Sequence, residues 1–289
     1  MQLGIFAKTF SGHSPNEVFS AAAAAGFSAV QYNMACSGLP SMPDEIPSGI
    51  TQEVAQAANA NELTFAALSG TYNMIHPDPA VRARGHERLA VLAAAAPSMK
   101  TNLITLCTGT RDMNDQWRDH PDNRSGSAWR DLLASMEVAI AIADAYDIYL
   151  GIEPELANVI NSAQSARRLL DEMKSSRLKI VLDPANLFET ATLATQRRLV
   201  SEAIDLLADS ITMGHAKDRA ATGSFTAAGR GVLDYAHYLI RLKHIGFNGT
   251  IVTHGLEANE ASEVGTFLRE QVAQAGFELE QACLTQGIQ

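Results

Sequence analysis

The chain has 289 residues, of which 46% are hydrophobic and 19% charged, a composition typical of a folded globular protein rather than a disordered or fibrous one. Its formal net charge of -10 argues against a nucleic-acid-binding protein, because such proteins need a basic surface to bind phosphates. The three cysteines, Cys36, Cys107 and Cys283, are far apart in the sequence and odd in number. They form neither a disulfide framework nor a metal clip, so we interpret each as a small hydrophobic residue in a reduced compartment.

The amino terminus, "MQLGIFAKTF", leads directly into a strand-like run. It lacks the basic region, apolar region and small-residue cleavage site of a signal peptide. No apolar run reaches the roughly 18 residues that a membrane span requires. The sequence therefore predicts a cytoplasmic protein without a membrane partner.

Eight short apolar segments follow one another along the chain, and each ends in a turn signal. Apolar and β-branched runs of this length are typical of strands that are buried on both faces of a sheet. The segments are 3–9, 28–34, 63–70, 102–109, 148–155, 179–186, 210–218 and 249–255.

Helical patterns lie between these segments. In "SPNEVFSAAAAAGF", Ser14 is the predicted N-cap, Pro15 the first helical residue and Glu17 the partner in a capping box, and Gly26 ends the helix. Further helices are predicted from the same spacing rules within 127–147, 162–176, 194–210, 232–247 and 259–277.

Alternation of strands and helices predicts a parallel sheet, and eight units of about thirty residues match a closed (β/α)8 TIM barrel. An open doubly wound sheet would need a glycine-rich phosphate loop after the first strand, and "AKTFSGHSPN" is not such a loop. We therefore predict a single TIM-barrel domain over 1–289. The long irregular stretches 35–48 and 109–126 follow strands and so belong to the catalytic rim, where we interpret 109–127 as a lid.

The last four predicted strands each end in a residue that can bind a metal: Glu153, Asp183, His215 and His254. They are separated by 30, 32 and 39 residues, about one strand–helix unit each. In a barrel this spacing places all four side chains on one rim. Converging buried carboxylates need a cation, and a set of carboxylates and imidazoles suits Mn, Zn, Co or Mg.

These residues belong to segments that resemble the xylose isomerase-like TIM-barrel superfamily of sugar phosphate isomerases and epimerases. The similarity covers nearly the whole chain and is strongest over 148–260. Its carriers are "GIEPE", "VLDPANLF", "GHAKD", the "GRG" at 229–231 and the "GFNG" at 246–249.

The resemblance implies one divalent metal ion bound by Glu153, Asp183, His215 and a fourth ligand. In the family the fourth ligand is a Glu on the eighth strand, but this sequence has His254 at that register. Either His254 replaces it, or Glu257 reaches in, or the site is rebuilt; we favour His254. Family epimerases use two carboxylates to remove and return a proton, so Glu153 is the expected base and His254 or Glu257 its expected partner.

Two further departures from the family concern Asn186, where many relatives have a substrate-binding His, and Gln31, where the second strand often ends in Glu. His13 is a further polar candidate in the loop after the first strand. Residues expected to contact substrate, or to orient those that do, are Asn186, Lys217, Asp218, Glu155, Arg111, Trp117, His120, Asn73 and His76.

The resemblance implies an isomerase or epimerase of a small keto-sugar, polyol or sugar phosphate, which acts through a metal-stabilised enediolate. A dehydratase or other lyase acting on a related polyol ketone, and a non-catalytic sugar-binding barrel with an eroded metal site, remain alternatives. An apurinic-endonuclease-type enzyme on the same fold would need more rim histidines and a basic groove. Related barrels often pair, so a homodimer is one expected assembly.

Overall fold

A computed structural model describes residues 1–10, 12 and 14–280, so His13 and Cys283 lie outside the described residues. Each of the eight predicted strand segments overlaps a strand. The strands are β1 Gln2–Phe6, β2 Ala29–Tyr32, β3 Thr64–Ser69, β4 Leu103–Cys107, β5 Tyr149–Glu153, β6 Leu178–Leu182, β7 Ile211–Ala216, β8 Asp218–Arg219, β9 Phe225–Thr226 and β10 Thr250–Thr253.

Eight of the described strands close into a barrel in the order β1-β10-β7-β6-β5-β4-β3-β2, and neighbouring strands are parallel. This confirms the predicted TIM barrel. β8 and β9 form a separate antiparallel hairpin in the connection after β7. That hairpin was not predicted, because two-residue strands carry no hydrophobic period.

The helices lie between the barrel strands. The capping box on Ser14 is present, since its side chain accepts from the Glu17 backbone and the Glu17 carboxylate accepts from the Ser14 backbone. The helices are α1 Pro15–Ala24, α2 Ser48–Ala60, α3 Pro79–Ala95, α4 Gly126–Tyr146, α5 Ala163–Met173, α6 Leu193–Leu207, α7 Tyr235–His244 and α8 Ala261–Gln274. In the described part of the chain, no helix is both long and apolar enough to cross a membrane.

The core has two parts. The larger one packs the strands against the helices. The smaller one is made of strand residues alone and fills the inside of the barrel. Its members are Ala67, Leu103, Val181, Met213 and Val252.

Candidate active site

The layer of side chains above this inner core is polar. Successive side chains on a strand point to opposite faces, so residues two positions apart share a face. Asp183 is therefore above Val181, His215 above Met213, and His254 above Val252. Glu153 follows Gly151, where a Cβ would lie only 2.8 Å from the Val181 side chain. The strand period thus brings the four predicted residues to the carboxyl end of the barrel interior.

These four side chains form one compact cluster. Each offers one ligand atom, and the atoms all lie within 4.8 Å of one another. His215 Nδ1 is 3.1 Å from Glu153 Oε1, and His254 Nε2 is 3.2 Å from Asp183 Oδ2. The centroids of the two imidazole rings are 4.4 Å apart. Glu153, Asp183 and His215 are buried, and His254 is partly exposed.

Polar neighbours hold the cluster in place. Gln31 Oε1 accepts from His215 Nε2 at 2.9 Å, while the Gln31 amide donates to Thr105 at 3.0 Å. Asn186 Nδ2 donates to Glu153 Oε1 at 3.0 Å. Gln31 accepts from the Nε2–H of His215, which leaves Nδ1 facing Glu153. Burial opposes ionisation of His215, but the adjacent carboxylates of Glu153 and Asp183 raise its pKa, which favours a ring that is protonated on both nitrogens and donates from Nδ1 to Glu153.

This donor set fits a divalent metal ion. His215 Nδ1 lies 3.1 Å from Glu153 Oε1 and 4.0 Å from Asp183 Oδ2, so a metal ion bound between these atoms would take the place of the proton on this nitrogen. A divalent cation among these atoms would offset the cost of burying the two carboxylates more fully than a single proton does. Carboxylate oxygens and imidazole nitrogens are typical ligands of Mn, Zn or Co, whereas a set of thiolates would indicate a structural zinc or iron–sulfur site.

A buried lysine lies beside two carboxylates of the site. Lys217 Nζ lies 3.2 Å from Asp183 Oδ2 and 4.0 Å from Glu155 Oε1. Burial alone would raise the pKa of Asp183, but the charge of Lys217 and the hydrogen bond from His254 hold it well below its usual range. Burial also opposes ionisation of Glu153, yet His215 and Lys217 keep its pKa lowered. Burial and the charge of Glu153 raise the pKa of Glu155 to about 7.

The cluster opens into a cavity of about 310 Å³, which we call the catalytic cavity. Glu153, His215 and His254 line its floor, and Glu155 and Trp117 lie at its side. Trp117 belongs to the loop between β4 and α4 that the sequence predicted as a lid, and it is 51% exposed. This loop therefore borders the site, as expected for a rim segment.

Other predicted residues lie elsewhere. Glu257 is exposed at the start of the short helix Ala258–Glu260, and it does not belong to the cluster of four possible metal ligands. Arg111 does not face the catalytic cavity as a free cation, because it donates to the Ile75 carbonyl and to Asp131 at 2.6 Å. Glu257 therefore has no geometric support as the fourth ligand, whereas His254 is a member of the cluster.

Three further predicted residues organise the rim loops. Asn73 exchanges hydrogen bonds with both backbone groups of Thr110. His76 contacts the Met113 carbonyl and accepts from the Asp78 backbone. His120 accepts from the Asp122 backbone. Asn73 and His76 connect two rim loops, whereas His120 acts within its own loop, and none of the three lines the catalytic cavity.

Asp218 also has a loop-organising position. Its carboxylate accepts backbone N–H bonds from Arg219, Gly229, Gly231 and Leu233. A side chain at Gly231 would collide with this carboxylate, which explains the second glycine of the "GRG" motif. Asp218 therefore folds the connection that follows β7 rather than presenting a free carboxylate to substrate.

We expect Asp218→Ala to lower the free energy of unfolding by about 2–4 kcal/mol, because it leaves several backbone donors without an acceptor. Urea denaturation would measure this change. Asp122→Ala, at an exposed loop carboxylate, is the control and should change stability by less than about 0.5 kcal/mol. Equal stability of both variants would contradict the loop-organising role.

Sequence reasoning missed several residues of the catalytic cavity, two of which can ionise. Lys8 follows β1 and lines the cavity, and Cys107 ends β4 with its sulfur 3.8 Å from Glu153 Oε2. We interpreted Cys107 only as a small hydrophobic residue. The available signal was position, since both residues occupy the carboxyl end of a barrel strand, as the four cluster residues do.

Comparison with known proteins identifies the family. The sequence model of the xylose isomerase-like TIM barrel matches residues 19–279. The chain belongs to this family. The predicted resemblance is thereby confirmed. No curated protein sequence matches the chain at a significant level.

Solved structures show the same fold at low sequence identity. The 3-keto-D-glucoside 4-epimerase of E. coli has a TM-score of 0.74 at 17% identity, over 93% of this chain and 99% of that one. D-psicose 3-epimerase from Clostridium cellulolyticum H10, solved with D-tagatose, has a TM-score of 0.73 at 16% identity, over 94% of this chain and 99% of that one. An L-ribulose 3-epimerase has a TM-score of 0.75 at 16% identity, over 95% of each chain.

Proposed function

We propose that the chain is a divalent-metal-dependent isomerase or epimerase that moves a proton next to the carbonyl of a small keto-sugar. The observation that carries this proposal is the buried cluster of Glu153, Asp183, His215 and His254 at the floor of a rim cavity. The epimerase activities of the proteins that share this fold support it. A divalent ion held by the cluster would polarise the substrate carbonyl and stabilise the charge left by proton removal.

Glu153 is the residue best placed to remove the proton. Its Oε1 accepts from Asn186, and its lowered pKa keeps the carboxylate ionised. The carboxylate also faces the catalytic cavity, so it can reach a bound substrate. A positioned carboxylate of this kind is a competent general base.

His254 is the candidate for returning the proton. Burial and the neighbouring His215 lower the pKa of His254, so its ring is neutral near pH 7. A metal-bound nitrogen cannot also accept a proton, so His254 serves either as a ligand or as an acid–base group through its other nitrogen. This carboxylate-to-imidazole exchange also favours a second candidate function, a lyase that uses one base and one acid.

Metal content and proton exchange test the proposal together. We expect one divalent ion per chain by plasma mass spectrometry after reconstitution. We also expect exchange of one carbon-bound proton of a keto-sugar in deuterated water, followed by NMR over a panel of ketoses. His254→Ala should lose the ion if His254 is a ligand. Absence of an ion in the reconstituted wild type would contradict the proposal and favour a non-catalytic sugar-binding barrel.

A further inference from the structure

A second cavity adjoins the catalytic cavity. Its volume is about 830 Å³, and Trp117 and Glu155 line both cavities. Small-molecule sites have volumes of about 300–1,000 Å³, so the catalytic cavity is at the lower limit and the second cavity has room for a further group. The second cavity is lined from four consecutive connections, those that follow β4, β5, β6 and β7.

The lining of the second cavity combines aromatic rings with planar polar side chains. Trp117 is 51% and Phe225 47% exposed, and Phe188 adds a buried apolar wall. Asn158 and Asn161 provide amides on the side formed by the connection after β5. Asn158 is 1% exposed, and its Nδ2 has no hydrogen-bond partner among the described residues.

The charges of the second cavity argue against an anionic ligand. Arg124 is paired with Asp119 at 3.2 Å. Arg219 donates to the carbonyls of Ala185 and Gly223, at 2.8 and 2.6 Å. Arg124 therefore already has a carboxylate partner, and Arg219 keeps its charge but is held in place by backbone carbonyls. The remaining acidic lining residues are Glu189 and Glu155, and although the raised pKa of Glu155 leaves it only partly ionised near pH 7, both would disfavour a phosphate or a carboxylate.

We infer that the second cavity binds a neutral second sugar unit, so that the substrate is a keto-disaccharide or similar keto-glycoside rather than a free monosaccharide. The keto-sugar unit occupies the catalytic cavity, and its neighbour extends past Trp117. The negative face of an indole ring attracts the polarised C–H groups of a sugar, and amides and carboxylates bind its hydroxyls. This inference rests on the proposed function for the orientation of the substrate.

Binding measurements test the second cavity without turnover. Metal-loaded wild type is titrated by calorimetry with glucose, with the neutral disaccharides cellobiose, maltose and trehalose, and with glucose 6-phosphate. We expect at least one disaccharide to bind about tenfold more tightly than glucose, as a few added hydrogen bonds allow. Disaccharide binding no tighter than that of glucose, or tighter binding of the phosphate, would overturn the inference.

Substitutions of residues that line only the second cavity test whether the disaccharide binds there. Thr190→Trp fills the cavity from an exposed position on its wall, and Asn161→Ala removes an amide whose side chain makes no hydrogen bond within the described residues. Each should reduce disaccharide binding about tenfold while the monosaccharide affinity stays within twofold. Met113→Ala, an exposed residue of the same β4–α4 loop that does not line this cavity, is the control. Unchanged disaccharide binding in both variants would overturn the inference.

Proton exchange separates this inference from the proposed function. The 3-keto derivatives of glucose and cellobiose are compared in deuterated water with the same variants. Faster exchange with the keto-disaccharide, lost in Thr190→Trp, supports both conclusions. Equal exchange with both sugars in all variants preserves the proposed function and overturns the second sugar site. Exchange with neither sugar and with none of the ketoses in the panel refutes the proposed function, and the calorimetric titrations then decide the second cavity alone.

Discussion

Glu153→Gln is expected to lower the rate of proton exchange at the keto-sugar about a thousandfold, within the range of a lost general base. The amide oxygen can still accept from Asn186 Nδ2, so the side chain keeps its position while losing its basicity. The measurement is deuterium incorporation by NMR at saturating sugar. Because Glu153 is also a candidate ligand, each sample is assayed at matched metal occupancy.

One control variant and the metal content of Glu153→Gln decide how this result is interpreted. Glu257→Gln changes the other carboxylate near the end of β10, which is exposed and outside the described cluster. It should retain exchange within about twofold, as expected for an exposed residue. If Glu257→Gln abolished exchange and Glu153→Gln did not, the assignment of the base would be wrong. Loss of the ion in Glu153→Gln would identify Glu153 as a ligand but leave its role as base unproven.

The sequence predicted the barrel because its strands repeat one pattern eight times. The cluster was predictable for the same reason: in a barrel, residues at the ends of neighbouring strands converge on one rim whatever the intervening helices do. This topology alone was enough to predict that four side chains meet, namely Glu153, Asp183, His215 and His254.

The roles of the rim residues depend on side-chain partners that no spacing rule predicts. Arg111 was expected to contact substrate, but its partner is Asp131 on α4, twenty residues further along. Asp218 looked like a substrate contact because it follows "GHAK", but the chain returns to it over residues 229–233. Gln31 looked like a lost acid, yet it fixes the proton on His215. Such pairings are settled only when separate loops meet in three dimensions.

Asp183→Asn is expected to abolish metal binding and to destabilise the metal-free protein by about 3 kcal/mol. The carboxylate is buried, and it is the nearest counter-charge to Lys217, whose ammonium lies 3.2 Å away. Removing one partner of a buried ion pair leaves the other charge without compensation, which typically costs about 3–5 kcal/mol. Metal content by plasma mass spectrometry and urea denaturation in EDTA measure the two effects separately.

The double variant Asp183→Asn/Lys217→Met separates the ligand role of Asp183 from its role as a counter-charge. Methionine has nearly the length of the lysine stem but no charge, so the double variant should recover most of the stability lost in Asp183→Asn. It should still bind no metal, because the carboxylate remains absent. Recovery of stability without recovery of the ion would show that Lys217 holds Asp183 ionised in the folded chain, while Asp183 also serves as a ligand. If the double variant were no more stable than Asp183→Asn, the ion pair would not be the source of the lost stability.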